Sequence, residues 1–168
     1  MSTTGDKKYL LDANVLINAH RSYYGFDICP GFWKSILAGH AAGKIFSTAR
    51  VKDELSRGKD LLTDWLKADL PTSFFLNDST LFIAAEFGPM MQWVQSKEYT
   101  PAAKSRFASD ADGWIIATAK QGNYQVVTHE ANNDDAKKRV MMPTVCKQFG
   151  VDYCNTFEML RDLKCCYQ

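Results

Sequence analysis

Apolar residues along this chain alternate between short continuous runs and the three-to-four-residue spacing of amphipathic helices. The first run, Tyr9-Leu10-Leu11, stops abruptly at Asp12, and Val15, Leu16 and Ala19 then resume at helical spacing. This pattern predicts a buried strand, a tight turn and a helix to about Arg21, with Asp12 at the carboxyl end of the strand, where open α/β sheets place their sites. Tyr23-Tyr24-Gly25-Phe26 follows as a loop. Pro30 opens a second helix with Phe32, Trp33, Ile36 and Leu37 on its apolar face, and Gly39 and Gly43 mark its exit. Lys44 to Thr48 reads as a second strand, with Ser47 or Thr48 capping a helix that carries Val51, Glu54 and Leu55.

Asp60 to Lys67 predicts another helix, ended before Pro71, and Phe74-Phe75-Leu76 a short strand. A helical run from Ser79 is expected to break or kink at Gly88-Pro89 and to restart through Trp93 and Val94. Pro101 to Phe107 is a further short helix. Ser109 to Ala119 starts with cap residues and sets Asp112, Ile115, Ile116 and Ala119 at helical spacing, so Asp110 and Asp112 sit at its amino end. Gln121-Gly122-Asn123 stops that helix, and the strand Tyr124 to Thr128 delivers His129 and Glu130, repeating the arrangement at Asp12. A polar loop to Arg139, a helix over 143–149, a strand over 151–154 and a closing helix over 156–163 complete the chain. Strands alternating with helices imply right-handed crossovers and a three-layer α/β/α fold around a mostly parallel sheet of four to five strands.

At 168 residues with 46% apolar and 12% aromatic side chains, one domain with a well-filled core is expected, preceded by a polar or disordered lead-in over residues 1–7. Lys plus Arg number 20 against 19 Asp plus Glu, so no global field advertises a polyanionic partner, and nucleic acid would have to bind through a local patch or a metal ion. No apolar run is long enough for a signal peptide or a membrane span, which places the protein in the cytoplasm. The 5 cysteines form no CxxC pair and are expected as free thiols.

Asp12 and Glu130 at strand ends, Glu54 on a helix, and Asp110 and Asp112 at a helix amino end all project to one edge of such a sheet. Anions gathered there must be protonated, paired with basic groups or bound to a cation, and an oxygen-only set suits Mg²⁺ or Mn²⁺. Such a centre hydrolyses phosphodiesters by activating water and neutralising charge. Each acid also has a plainer reading. Asp12, Asp110 and Asp112 are ordinary first-turn or cap residues, Glu54 is flanked by Lys52 and Arg57, and Glu130 belongs to a polar loop with Asp134-Asp135.

The sequence resembles PIN-domain nucleases, the fold of VapC-type toxins, and more narrowly the DUF4411 group of that superfamily. The resemblance rests on Leu10-Leu11-Asp12-Ala13-Asn14-Val15-Leu16-Ile17, on Glu54-Leu55, and on an acid opening a helix as Asp112, Ile115, Ala117 and Ala119. A fourth position, commonly Asp after Thr-x, is here Glu130 in Thr128-His129-Glu130. The resemblance implies a Mg²⁺- or Mn²⁺-dependent endoribonuclease, the toxin of a type II toxin–antitoxin pair. Asp12, Glu54 and Asp112 would hold the ion, and Glu130 would help hold it or orient water, with Asp110 or Asp134 as substitutes for that fourth role. Asn14, Ser47 or Thr48, and Thr128 would support the carboxylates, and His129 is either a proton shuttle or a bystander. An RNA substrate, a cognate antitoxin docking near Tyr23-Tyr24-Gly25-Phe26 and Phe32-Trp33, and a homodimer are the implied partners. The alternative for Phe32 and Trp33 is core. Rival functions are an inactive PIN-like RNA-binding module, and a receiver-like Mg²⁺-binding domain. The latter needs paired acids after the first strand, where this chain has Asp12-Ala13, and a Lys after a late strand, where it has Thr128-His129.

Overall fold

The computed structural model describes residues 7–168, so the expected lead-in lies outside the described residues except for Lys7. In chain order the elements are β1 (Tyr9–Leu11), α1 (Ala13–Asn18) running into a π turn (Ala19–Tyr23), α2 (Pro30–Ala41), β2 (Ile45–Thr48), α3 (Ala49–Leu55), α4 (Leu61–Ala68) and β3 (Phe75–Leu76). They are followed by α5 (Leu81–Ser96), α6 (Pro101–Ser109), α7 (Ala111–Gly122), β4 (Gln125–Val127), α8 (Met142–Phe149), β5 (Tyr153–Cys154) and α9 (Thr156–Asp162).

The five strands lie in the order β3-β2-β1-β4-β5 and every neighbouring pair is parallel. Parallel strands need cover on both faces, which is why β1 is apolar at each position and Tyr9, Leu10 and Leu11 are all buried. From β1 the chain winds outward to β2 and β3, then returns to the other side of β1 for β4 and β5. The carboxyl ends of β1 and β4 therefore flank the point where the winding reverses, the place where such sheets open a crevice. Asp12 follows β1 there, and Thr128 to Glu130 follow β4.

Helix boundaries obey local chemistry in most places. Thr48, Asp60, Thr80 and Thr100 each accept a backbone N–H of the following first turn, and Asn155 with Glu158 forms a reciprocal capping box. Asn123, at φ 57°, supplies the left-handed residue that ends α7.

Two expectations fail. The break at Gly88-Pro89 does not occur: α5 is continuous from Leu81 to Ser96 with Pro89 inside it. Ile83, Met90 and Val94 are buried on both sides of the proline, and Phe87 stacks on Trp114 of α7 with ring centroids 4.2 Å apart, so packing overrides the lost hydrogen bond. Gly39 is not the exit of α2 but lies within it, where an added Cβ would stand 2.4 Å from Ile45 Cδ1. Gly43, at φ 73°, makes the turn instead.

The cysteines are all free, and burial pushes the Cys146 and Cys154 thiols up to about 12, leaving them inert. Among the described residues no helix is long and apolar enough to cross a membrane.

Candidate active site

Asp12 is the first residue beyond β1, and its N–H donates to the Val127 carbonyl at 3.0 Å, extending the ladder with β4 by one rung. That bond fixes the backbone from which the carboxylate projects, and the residue is only 3% exposed. Thr128, one residue beyond β4, donates its hydroxyl to Asp12 Oδ2 at 3.3 Å. From the other neighbour, Ser47 of β2 donates its hydroxyl to the Leu11 carbonyl at 2.7 Å. Thr48 Oγ1 accepts from Val51 N, which starts α3 and so sets the position of Glu54 on its open side.

Asp110 and Asp112 flank the start of α7. Asp110 is the backbone cap but gives no side-chain cap; its carboxylate accepts instead from Arg106 Nε at 3.1 Å, one turn back on α6. Asp112 lies in the first turn, its carboxyl half-buried. Asp12, Asn14, Glu54, Asp110 and Asp112 line one cavity of about 590 Å³ at the carboxyl edge of the sheet. Arginines 50, 57, 106 and 139 line it as well.

Burial, with neighbouring negative charge, raises Asp12, Asp112 and Glu54. Burial pushes Asp12 up to about 8, reinforced by the charges of Asp112, Glu130 and Glu54 and opposed by the Thr128 hydrogen bond. Burial likewise pushes Asp112 up to about 6; Glu130 adds to this and the Arg139 guanidinium opposes it. Glu54 stands at the open rim, yet desolvation by the cavity wall and then Asp110 still raise it, against Arg57 and Arg106.

Glu130 sits behind this cavity rather than on its lining. Its Oε1 pairs with the Arg139 guanidinium, its Oε2 accepts from Met142 N at 2.8 Å, and its side chain is 9% exposed. Asp134 lies elsewhere, paired with Lys147 at 3.4 Å. His129 also faces away: its Nε2 meets Thr156 Oγ1 at 2.9 Å between the Tyr23 and Phe157 rings, where burial lowers its pKa. Among the described residues, no three His, Cys, Asp or Glu side chains are gathered so as to hold a metal ion by themselves.

The arginines were not assembled by sequence reasoning. Arg50 is held by Asp78, itself 1% exposed, at 3.6 Å, and lies 4.2 Å over the Trp114 ring. In the sequence Arg50 with Lys52, Arg57 with Lys59 and Lys137-Lys138-Arg139 read equally as a solvated surface or a phosphate track, while the Arg106–Asp110 pair could have been found from its spacing of four residues. The expected aromatic docking groove is largely filled. Phe32 is 0% and Trp33 3% exposed and both are core, while Tyr24 and Phe26 are half-buried, stacked on Phe32 at 4.6 Å and on Trp33 at 4.1 Å; of that stretch Tyr23 remains open.

Solved structures that share the fold include two that align over most of both chains. One, the crystal structure of FitAcB from Neisseria gonorrhoeae, aligns at a TM-score of 0.55 and 20% identity over 89% of this chain and 98% of that chain. The other, VapBC2 from Rickettsia felis bound to a DNA fragment from their promoter, aligns at 0.55 and 15% identity over 88% and 97%. No curated protein matches the sequence. The PIN-like α/β/α architecture expected from the sequence is the one observed, with a sheet that is parallel throughout. The sequence matches the model of the DUF4411 family, a domain of unknown function, over residues 9–167, and the chain belongs to that family.

Proposed function

We propose that this protein is a metal-dependent endoribonuclease, the toxin of a type II toxin–antitoxin pair acting in the cytoplasm. The observation that carries the proposal is the convergence of Asp12, Glu54, Asp110 and Asp112, from three separate segments, on one cavity at the winding reversal. Burial raises Asp12 and Asp112, the charge of Asp112 adds to the rise at Asp12 and that of Glu130 to both, and the oxygen donors of such buried carboxylates suit a hard divalent cation. Mg²⁺ keeps several of its waters, so the acids can hold it partly through water without closing into a bare cage. The sequence resemblance to VapC-type toxins and the shared fold with VapBC2 support the toxin assignment.

Asp12, Glu54 and Asp112 would hold Mg²⁺ or Mn²⁺, with Glu130 contributing its charge from behind. When bound, such an ion polarises water and neutralises charge on a phosphodiester. The chain's own residues do the rest. Thr128 orients Asp12, Thr48 fixes the helix that presents Glu54, Asn14 lines the cavity beside Asp12, and Arg50 and Arg139 offer guanidinium groups to a phosphate. An antitoxin would restrain the activity, and a homodimer is the expected assembly.

One test decides. Purified protein is incubated with mixed RNAs and Mg²⁺ or Mn²⁺; cleavage that stops with EDTA and in Asp112→Asn supports the nuclease. RNA bound but left whole under both metals would favour the second reading, an inactive RNA-binding module. That alternative has one observation behind it, namely that both Glu130 oxygens are already engaged within the chain.

A further inference from the structure

A second groove, of about 430 Å³, lies beyond the acid cavity and is lined by Trp93, Tyr99, Lys97, Lys137, Lys147 and Asp134 among others. Its charge is local, since the whole sequence carries a net +1, whereas here three lysines face one aspartate that Lys147 already pairs at 3.4 Å. All three lysines are exposed. The Trp93 indole is half-buried, its ring at right angles to Phe149, with Lys97 Nζ 5.3 Å from its centroid.

The two sites are joined by the backbone. Lys137 lines the groove and Arg139 the acid cavity. Residues two apart are separated by at most about 7 Å. Both are anchored: the Lys137 carbonyl accepts from Thr100 N at 2.9 Å, and Arg139 is held on Glu130. Resting on the nuclease reading above, we infer that this groove receives single-stranded RNA leaving the acid cavity, with phosphates on Arg139, Lys137, Lys97 and Lys147 and a base against Trp93. Flexible ammonium groups and an aromatic face are the elements of sequence-tolerant single-strand binding. Continuity with the acid cavity favours a substrate strand over an acidic peptide, which would have no reason to reach it.

The test is fluorescence anisotropy with labelled 5-nucleotide and 15-nucleotide RNAs, using full-length protein carrying Asp112→Asn in Mg²⁺. Adding Lys97→Ala, Lys137→Ala and Lys147→Ala is expected to weaken the 15-mer at least tenfold and the 5-mer less than twofold. The salt slope of log affinity should flatten by about two, the share of three lost phosphate contacts on a single strand. Trp93→Leu alone should weaken the 15-mer about fivefold or more. Unchanged 15-mer affinity in the triple variant, no 15-mer binding by its parent, or an equal loss on a 15-base-pair duplex would each overturn the groove. Lysine-dependent binding of the 15-mer by a protein that cleaves no RNA would keep the groove and remove the nuclease; RNA cleavage indifferent to the lysines would do the reverse.

Discussion

Glu130 clasps the segment that follows it at two points, taking the Arg139 guanidinium on one oxygen and the Met142 N–H on the other. The intervening residues Ala131 to Asp135 are exposed, and the loop is otherwise pinned by Thr144 on Asn132, Lys147 on Asp134 and Thr100 N on the Lys137 carbonyl. A single carboxylate thus fixes the path that carries Arg139 to the acid cavity. Glu130→Gln is expected to cost about 1–3 kcal/mol of stability, because Arg139 loses its ion partner, and to lower the cleavage rate at least tenfold. Glu130→Asp should not rescue it, since the shorter arm cannot span both partners. Wild-type turnover with unchanged protease resistance in the 131–141 loop would remove this role.

Asp12→Asn and Asp112→Asn should each abolish cleavage while raising the melting temperature of the metal-free protein at pH 8. Removing one of several crowded anions relieves both burial of charge and repulsion. A variant that fails to fold would assign the residue a structural role instead, and thermal melts with and without EDTA separate the two.

The sign of the pH dependence follows from the same pair. A carboxyl whose folded pKa lies above its unfolded value binds more proton in the folded state, so folding weakens as pH rises between the two. For Asp12 that window runs from its ordinary 3.8 to about 8, and for Asp112 to about 6. Metal-free protein should therefore lose stability from these two groups progressively as pH rises above about 4, on the order of a few kcal/mol by pH 8. Added Mn²⁺ should restore more stability at pH 8 than at pH 5. A flat or rising melting profile without metal would contradict the charge crowding.

Tyr24→Ser with Phe26→Ser is expected to act on folding rather than on antitoxin docking. Both rings stack on buried partners, Phe32 and Trp33, and their removal is expected to cost about 3 kcal/mol or more. Tyr23→Ser, at a ring 52% exposed, should leave the melting temperature within a degree or two and is the better probe of antitoxin binding. Equal destabilisation by the two changes would show that Tyr23 is packed too.

Much of the site could be read because its acids sit where hydrophobic patterns stop. Leu11 before Asp12 and Val127 before Thr128 end apolar runs, and the alternation of strands and helices already placed both ends on one edge. Asp112 was legible from the Ile115 and Ala119 spacing. The roles of Glu130 and the arginines were not, because both depend on which segments meet across the fold. No local pattern says that residue 130 closes on residues 139 and 142, or that Arg50 is pinned between Asp78 and Trp114. The helix runs unbroken through Pro89 for the related reason that Phe87, Met90 and the Gly113 notch on α7, where an added Cβ would stand 2.7 Å from Phe87 Cε2, reward continuity.

The central position of β1 also governs when the acid cavity can be completed during synthesis. The strand emerges first, yet its partner β4 lies 116 positions later, and the Thr128 hydroxyl that orients Asp12 arrives with it. A ribosome-bound chain that has exposed β1, β2 and β3 has three of the five strands, an Asp12 without its orienting hydroxyl, and neither Asp112 nor Glu130 in place. The long-range pairing also slows closure, since the loop entropy must be overcome before the strands meet. Products that stop before β4 therefore carry an incomplete acid cavity, and on the function proposed above the interval before β4 docks would be time in which an antitoxin could reach the chain.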